Sequence, residues 1–335
     1  GHIMRLLSLA DALSDLDVQC AFACAASSYT EPITKRDYPV YFLPAGYDRM
    51  EEEVPALQDI LRRFGADLII VDSYYVTERY LEELRGKLYL VYMDDLSSFA
   101  YPVDLLVNYN IYASLTEYRK RYSGCSVKEP DYLLGTDYAP LRREFRNIDV
   151  RIPSSDVRNI AVSFGGADPM HMADSFLKTL HASDSRIKSA VVHLILGAME
   201  PDLDAIRQFA ETVPWLKLHI NIRNMKELLL SCDMAVSAAG STQYEICACQ
   251  VPCINFSMAD NQIPGGKAFG EKGIFCYAGD VRFRQDFYQN LLQTMEDLML
   301  HEEKRFQMAA AERALIDGCG AERLAVAILD GFKSS

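Results

Sequence analysis

The chain has a single tryptophan, six histidines and no uninterrupted apolar run near the ~18 residues that a membrane-spanning helix requires. No basic segment followed by a short apolar stretch opens it, so the pattern of a secretory signal is lacking too. Positive charge is scarce: 34 Lys and Arg stand against 47 Asp and Glu, a net charge of -13. A nucleic-acid partner needs a basic stripe to neutralise phosphates, and none is present. The densest basic cluster, Arg119, Lys120 and Arg121, reads as a solvated helix end. A small anion is still compatible with this charge, because a few backbone N–H groups can hold a diphosphate locally. Among the nine cysteines, Cys247, Cys249 and Cys253 come close to a metal-like spacing but have no second ligand pair nearby, so no zinc site is expected. Cys20 and Cys24 sit in apolar runs and read as small buried hydrophobes of a reducing, cytoplasmic compartment.

What is present is ordinary globular material, 50% apolar and 24% charged over 335 residues. That length suits two domains of roughly 150 residues. Residues 4–13 have helical periodicity, and 18–24 and 40–43 are short apolar runs. A helix over 55–64 closes at Gly65, and the run at 67–71 reads as a strand buried on both faces. After a helix over about 77–85, strands are expected at 88–93 and 104–107. Polar residues (Asp72, Ser73 and Tyr74, then Asp94 and Asp95) fall at the carboxyl ends of these strands, where open α/β sheets place ligands.

The pattern loosens over 108–153, which puts the domain junction near residue 150 and the domains at 1–150 and 151–335. A fresh series of strands follows at 160–164, 191–196, 216–220, 234–237 and 253–256, then a nearly all-helical tail over 284–332 broken at Gly318 and Gly320. The expected architecture is α/β, two Rossmann-like domains facing across a cleft with ligand between them. Such a domain normally begins with a strand, whereas Gly1 and His2 start a helix, so a leading segment of roughly 15 residues is expected ahead of this numbering.

Three segments carry candidate chemistry in the second half. In SFGGADP, Gly165 and Gly166 follow a strand and precede a helix, a cradle for phosphate or else a tight turn capped by Asp168. The segment from Ser237 through Gly240, Ser241 and Thr242 repeats that arrangement, and two such loops can grip both phosphates of a diphosphate. Glu245, four residues after Ser241, shares its helix face and can accept ribose hydroxyls, or is a solvated residue favoured by the helix dipole. Asn261 and Gln262 follow the next strand; their amides suit sugar hydroxyls or acetamido groups, or serve as caps. In the first half, His2 stands out, since a helix N-terminus disfavours the imidazolium and a neutral ring can act as general base. It is otherwise a plain helix-start residue or a cloning remnant. His193 and His219 read as core or surface residues, and His171 is held in reserve for its closeness to the glycine loop.

GHIMRLLSLADAL, VDSYY, DDL, LLGTDYAPLRREF, SFGGADP and SAAGSTQYEICACQVP, in this order, resemble the UDP-sugar hydrolases of the pseudaminic acid pathway, the PseG family. Those enzymes cleave UDP-2,4-diacetamido-2,4,6-trideoxy-β-L-altropyranose. The second half alone also resembles the wider GT-B group that includes the MurG glycosyltransferase. The resemblance implies a GT-B-like, MurG-like fold and an inverting, metal-independent hydrolase of a UDP-sugar, with no cofactor, that releases UDP and free sugar. It points to His2 as the group acting on water and to Tyr74, or its neighbour Tyr75, in the same site. It assigns UDP to Gly165, Gly166, Gly240, Ser241, Thr242 and Glu245, and the sugar to Asn261 and Gln262. Two further readings stay open: a glycosyltransferase using a UDP-sugar donor, and a non-catalytic UDP-sugar-binding protein.

Overall fold

The computed structural model describes residues 1–26, 28–166, 168–197 and 200–335, and the chain divides into two compact units. Unit 1 comprises Gly1–Arg143 and Gly318–Ser335, and unit 2 comprises Glu144–Asp317.

Unit 1 opens with α1 (His2–Ser14), followed by β1 (Phe22–Ala25), α2 (Glu31–Thr34), β2 (Val40–Leu43) and α3 (Val54–Phe64). It continues through β3 (Leu68–Val71), α4 (Glu78–Leu84), β4 (Tyr89–Met93), β5 (Leu105–Asn108), α5 (Leu115–Tyr122) and β6 (Asp131–Leu134). Local chemistry explains the boundaries. Gly65 closes α3 in the left-handed region, φ 71°, and the Thr77 side chain accepts the Tyr80 N–H at 3.1 Å to start α4. All five residues of β4 are buried, as expected for an inner parallel strand. The strands form two parallel ladders, β1-β2 and β3-β4-β5-β6. The basic cluster sits in the last turn of α5, with Lys120 held by Glu117 at 2.7 Å.

Unit 2 contains β7 (Asn159–Ser163), α6 (Met172–Ala182), β8 (Val191–Leu196), α7 (Leu203–Ala210), β9 (Leu216–Ile220) and α8 (Met225–Ser231). Then come β10 (Met234–Ala238), α9 (Thr242–Ala248), β11 (Cys253–Ser257), α10 (Ile263–Glu271), β12 (Cys276–Asp280), α11 (Phe287–Leu300) and α12 (Glu302–Leu315). One parallel sheet runs β12-β11-β10-β7-β8-β9. Its inner strands β10 and β11 are buried throughout, and Ile160, Val162, Phe164, Val236 and Phe256 lie in the core. Cys247, Cys249 and Cys253 are buried, and burial pushes the Cys249 thiol up to about 12.

Two differences from the sequence expectation concern organisation. The stretch that loses periodicity after residue 108 contains a real helix and strand, α5 and β6, which belong to unit 1. The last helix, α13 (Gly320–Ser334), was grouped with the second half, yet it packs on α1 and β6 of unit 1. The reason is steric and apolar. Leu324, Ala325 and Ile328 are buried, and Gly320 lies so close to Ala139 that a Cβ would come within 2.2 Å of its carbonyl oxygen. Among the described residues no helix is long and apolar enough to cross a membrane.

The entry into unit 2 is tied down by one buried cation. Arg305 is 0% exposed and donates to the carbonyls of Leu298, Met299, Ser154 and Ser155 at 2.6–2.9 Å. Replacing it by leucine strips several buried acceptors of their donor, each of which then bears a desolvation penalty. Arg305→Leu is expected to lower unfolding free energy by about 3 kcal/mol, checked by the urea midpoint; a loss below about 1 kcal/mol contradicts the assignment.

Candidate active site and nucleotide loops

Unit 1 gathers its polar residues at the carboxyl ends of β3, β4 and β5. Arg5, one helical turn after His2 on α1, is the hub. Its Nε donates to Asp72 Oδ2 at 2.7 Å while Nη2 reaches Asp72 Oδ1, so the pair is bidentate. Nη1 donates to the Tyr109 hydroxyl at 2.9 Å and pairs with Asp95 Oδ2 at 2.9 Å. Asp95 in turn accepts from Asn110 Nδ2 at 2.8 Å. The side chains of Arg5, Asp72 and Asp95 are 7%, 0% and 9% exposed, so this charge network is shielded from water and its geometry is stiff. Next to it, Asp94 accepts the hydroxyls of Tyr101 and Tyr118 and the N–H groups of Leu96 and Ser97, which shapes the loop after β4.

His2 stands at the rim of this network. Its Nε2 is 3.8 Å from Asp72 Oδ1, and its ring meets the Tyr74 ring edge-on, with centroids 4.5 Å apart at 80°. Burial disfavours the imidazolium and holds the pKa below the ordinary 6.5, although Asp72 pulls the other way. The ring is therefore a neutral base near pH 7, with the cover of neighbouring atoms as the first cause. Of the two adjacent tyrosines, Tyr74 contacts His2, whereas Tyr75 packs against Tyr47 at 5.1 Å. A cavity of about 560 Å³ adjoins them, lined by His2, Tyr29, Tyr47, Asp72, Tyr74 and Tyr75 among others.

In unit 2 the strand order is that of a doubly wound sheet, with the switch point between β7 and β10. Ser163 pairs with Ser237 there, and Ala238 with Phe256, so the loops after β7, β10 and β11 emerge side by side at one edge. This brings together the loops carrying Gly165 and Gly166, Gly240, Ser241 and Thr242, and Asn261 and Gln262. Gly165 has φ 101°, a conformation that favours glycine, and Gly165 and Gly166 are exposed. Gly197 lies so near that a Cβ on it would sit 1.8 Å from the Gly166 carbonyl oxygen.

The two helix starts differ. Asp168 is buried and accepts the N–H groups of Met172 and Ala173 at 3.0 and 2.7 Å, so the start of α6 is capped from within. The Ser241 start of α9 has no side-chain cap. Glu245 lies half-buried in α9, and Gln262 accepts the Met258 N–H at 3.0 Å. His171, the reserve candidate, pairs with Asp202 at 2.6 Å. His193 and His219 bond to each other at 2.9 Å on β8 and β9, away from the carboxyl-end loops.

Sequence reasoning named His2 and Tyr74, whose rings the structure brings into contact, but gave Arg5 and Tyr109 no role. The signal for Arg5 was present in the i, i+3 spacing that sets it on the face of His2.

Two Rossmann-like α/β units, one with the complete doubly wound order, define the GT-B fold class. Solved structures agree on the fold. The chain resembles MurG of Acinetobacter baumannii with a TM-score of 0.68 at 12% identity, covering 98% of this chain and 96% of that one. A Staphylococcus aureus MnaA–UDP co-structure matches with a TM-score of 0.64 at 12% identity, over 96% and 91% of the two chains. Among sequences, the chain is similar to the spore coat polysaccharide biosynthesis protein SpsG of Bacillus subtilis, 24% identical over 99% of this chain and 95% of that protein. It is also similar to a Helicobacter pylori protein named pseudaminic acid cytidylyltransferase and UDP-2,4-diacetamido-2,4,6-trideoxy-beta-L-altropyranose hydrolase, at 27% identity. That match covers 67% of this chain and 40% of the longer protein. No protein-family model matches.

Since cover by neighbouring atoms is what keeps His2 neutral, Tyr74→Ala is expected to hydrate the ring and raise its pKa toward 6.5. Histidine NMR titration of the two proteins checks this, and an unchanged or lower value in the variant contradicts it.

Proposed function

We propose that this protein hydrolyses the glycosidic C1–O bond of a UDP-linked 2,4-diacetamido-2,4,6-trideoxy sugar, giving UDP and free sugar. The observation that carries the reading is the neutral, half-buried His2, backed by the Arg5–Asp72–Asp95 network beside a cavity. Similarity to a protein whose name includes such a hydrolase supports it.

In this scheme His2 accepts a proton from water as the water oxygen bonds to C1, and the C1–O bond breaks with its electron pair leaving on the diphosphate of UDP. Attack from the face opposite the leaving group inverts the anomeric centre, and no metal takes part. The charge that develops on the diphosphate falls to the backbone N–H groups of Gly165, Gly166 and the uncapped Ser241–Thr242 helix start. Glu245 receives the ribose hydroxyls, and Asn261 and Gln262 face the sugar. Asp72 and Arg5 are positioning residues that fix the floor against which His2 rests. Tyr74 covers the ring. UDP-sugar and UDP are thus the partners of the site.

A glycosyl acceptor in place of water is the second reading. It is favoured by the exposed rings of Tyr29, Tyr47 and Tyr75 beside the cavity, 63%, 58% and 49% accessible, which offer stacking faces to another sugar.

Incubating the protein with a panel of UDP-sugars and no acceptor, and assaying UDP, separates these readings. UDP release is expected, whereas release only on adding an acceptor sugar favours transfer. His2→Gln is expected to lower kcat by ~100-fold or more while UDP affinity stays unchanged. A parent protein that binds UDP and turns over none of the panel leaves a binding role. Because the active form is the neutral ring and its pKa lies below 6.5, the rate should rise with pH and reach its plateau before about pH 7. Gly197→Ala displaces the Gly166 carbonyl and is expected to weaken UDP binding by ~10-fold, about 1.4 kcal/mol. Calorimetric titration with UDP reads this directly, and an unchanged Kd removes the Gly165–Gly166 turn from the site.

A further inference from the structure

Unit 1 holds a buried carboxylate that the proposed reaction does not use. Glu53 closes the short helical turn Met50–Glu53 that follows β2, and α3 begins at the next residue. A glutamate beside a helix start ordinarily caps N–H groups or stays in water. Glu53 does neither: its side chain makes no cap bond, and the residue is only 4% exposed. Oε1 accepts the Tyr80 hydroxyl at 3.2 Å, and among the described residues Oε2 has no hydrogen-bond partner and the carboxylate no cation. Burial pushes this carboxyl group above its usual pKa range, and the single phenol hydroxyl offsets only part of that. So withdrawn a group, with one oxygen open, is costly unless a donor arrives from outside the protein.

Glu53 lines the cavity of about 560 Å³ that also holds His2 and Tyr74. Ala25, Leu43 and Asp72 line it too, so it lies at the carboxyl ends of β1, β2 and β3, the edge at which open α/β sheets seat their ligands. A carboxylate can only accept, and the cavity sets it beside the apolar side chains of Leu43 and Met50. That pairing suits a group with a donor next to a methyl. The secondary amide of an acetamido group is such a group, since its N–H only donates and its acetyl methyl is apolar. We propose that Glu53 receives the N–H of a sugar acetamido group, whose methyl packs on Leu43 and Met50, and so selects acetamido over hydroxyl at that ring carbon. A hydroxyl in its place lacks the acetyl anchor and is not held against the carboxylate. The inference rests on the substrate class proposed for the site and adds the residue that reads it.

NMR titration of the full chain with free 2,4-diacetamido-2,4,6-trideoxy-L-altrose and with 6-deoxy-L-altrose tests this without UDP or turnover. The parent is expected to bind the diacetamido sugar at least ~10-fold more tightly. Glu53→Gln should weaken the diacetamido sugar by ~10-fold and change 6-deoxy-L-altrose by less than ~3-fold, because a charge-assisted bond becomes a neutral one. Tyr80→Phe removes the internal donor but keeps the carboxylate, so the preference should persist. A parent without the preference, or a Glu53→Gln protein that keeps it, overturns the proposal. A lower thermal midpoint in both variants with the preference intact makes Glu53 a prop for Tyr80 and overturns it as well. If Glu53→Gln does not fold, Glu53→Asp, which retracts the carboxylate by one carbon, is read in the same way. Failure of the hydrolase reading is distinct: no UDP is released from UDP-sugars by a protein that still prefers the free diacetamido sugar.

Discussion

A bidentate ion pair between the first helix and the carboxyl end of β3 organises the N-terminal unit. Arg5 and Asp72 are almost fully withdrawn from water, and each satisfies groups the other would leave bare. Such a pair tolerates little displacement, because breaking it strands a buried charge. It also ties together three carboxyl-end loops at once, since the same guanidinium holds Asp95 after β4 and Tyr109 after β5. The position of His2 follows from this clamp, and its neutrality follows from the cover that the clamp and Tyr74 provide.

The C-terminal unit solves a different problem by different means. Its loops are set by strand order: the reversal of winding between β7 and β10 opens a crevice, and small residues let backbone line it. Close approach is enforced where Gly197 meets Gly166, and conformational freedom is needed at Gly165. The two helix starts are not equivalent. Asp168 accepts N–H groups at the start of α6, whereas the start of α9 has no side-chain cap. One unit thus has a buried charge network beside a half-buried histidine, and the other has glycine-containing turns at the carboxyl ends of its inner strands.

Much of the fold could be read from the residues. The runs at 191–196 and 216–220 are read as strands at their observed bounds, and Gly65 marks the end of α3 because only a left-handed residue closes that turn well. The strands β6 and β12 escaped notice because DYLL and CYAGD are short edge strands, half-buried at most positions, and carry no clean apolar period. At the candidate site, His2 and Tyr74 were named from the segments that contain them, and the structure sets their rings in contact. The partnership of Arg5 with Asp72, Asp95 and Tyr109 was not, since it spans 67 to 104 residues of sequence.

The sequence by itself determined the α/β class, the helices and most strands, the acidic and apolar balance, and the glycine turns, because each depends on local periodicity, backbone freedom or composition. Tertiary structure alone decided which unit receives the last helix, whether Asp168 caps a helix or leaves it open, which of two tyrosines covers the histidine, and that a buried arginine binds three strand ends. Those outcomes depend on close contacts between residues far apart in the chain, and no local pattern encodes a contact whose partner lies a hundred residues away.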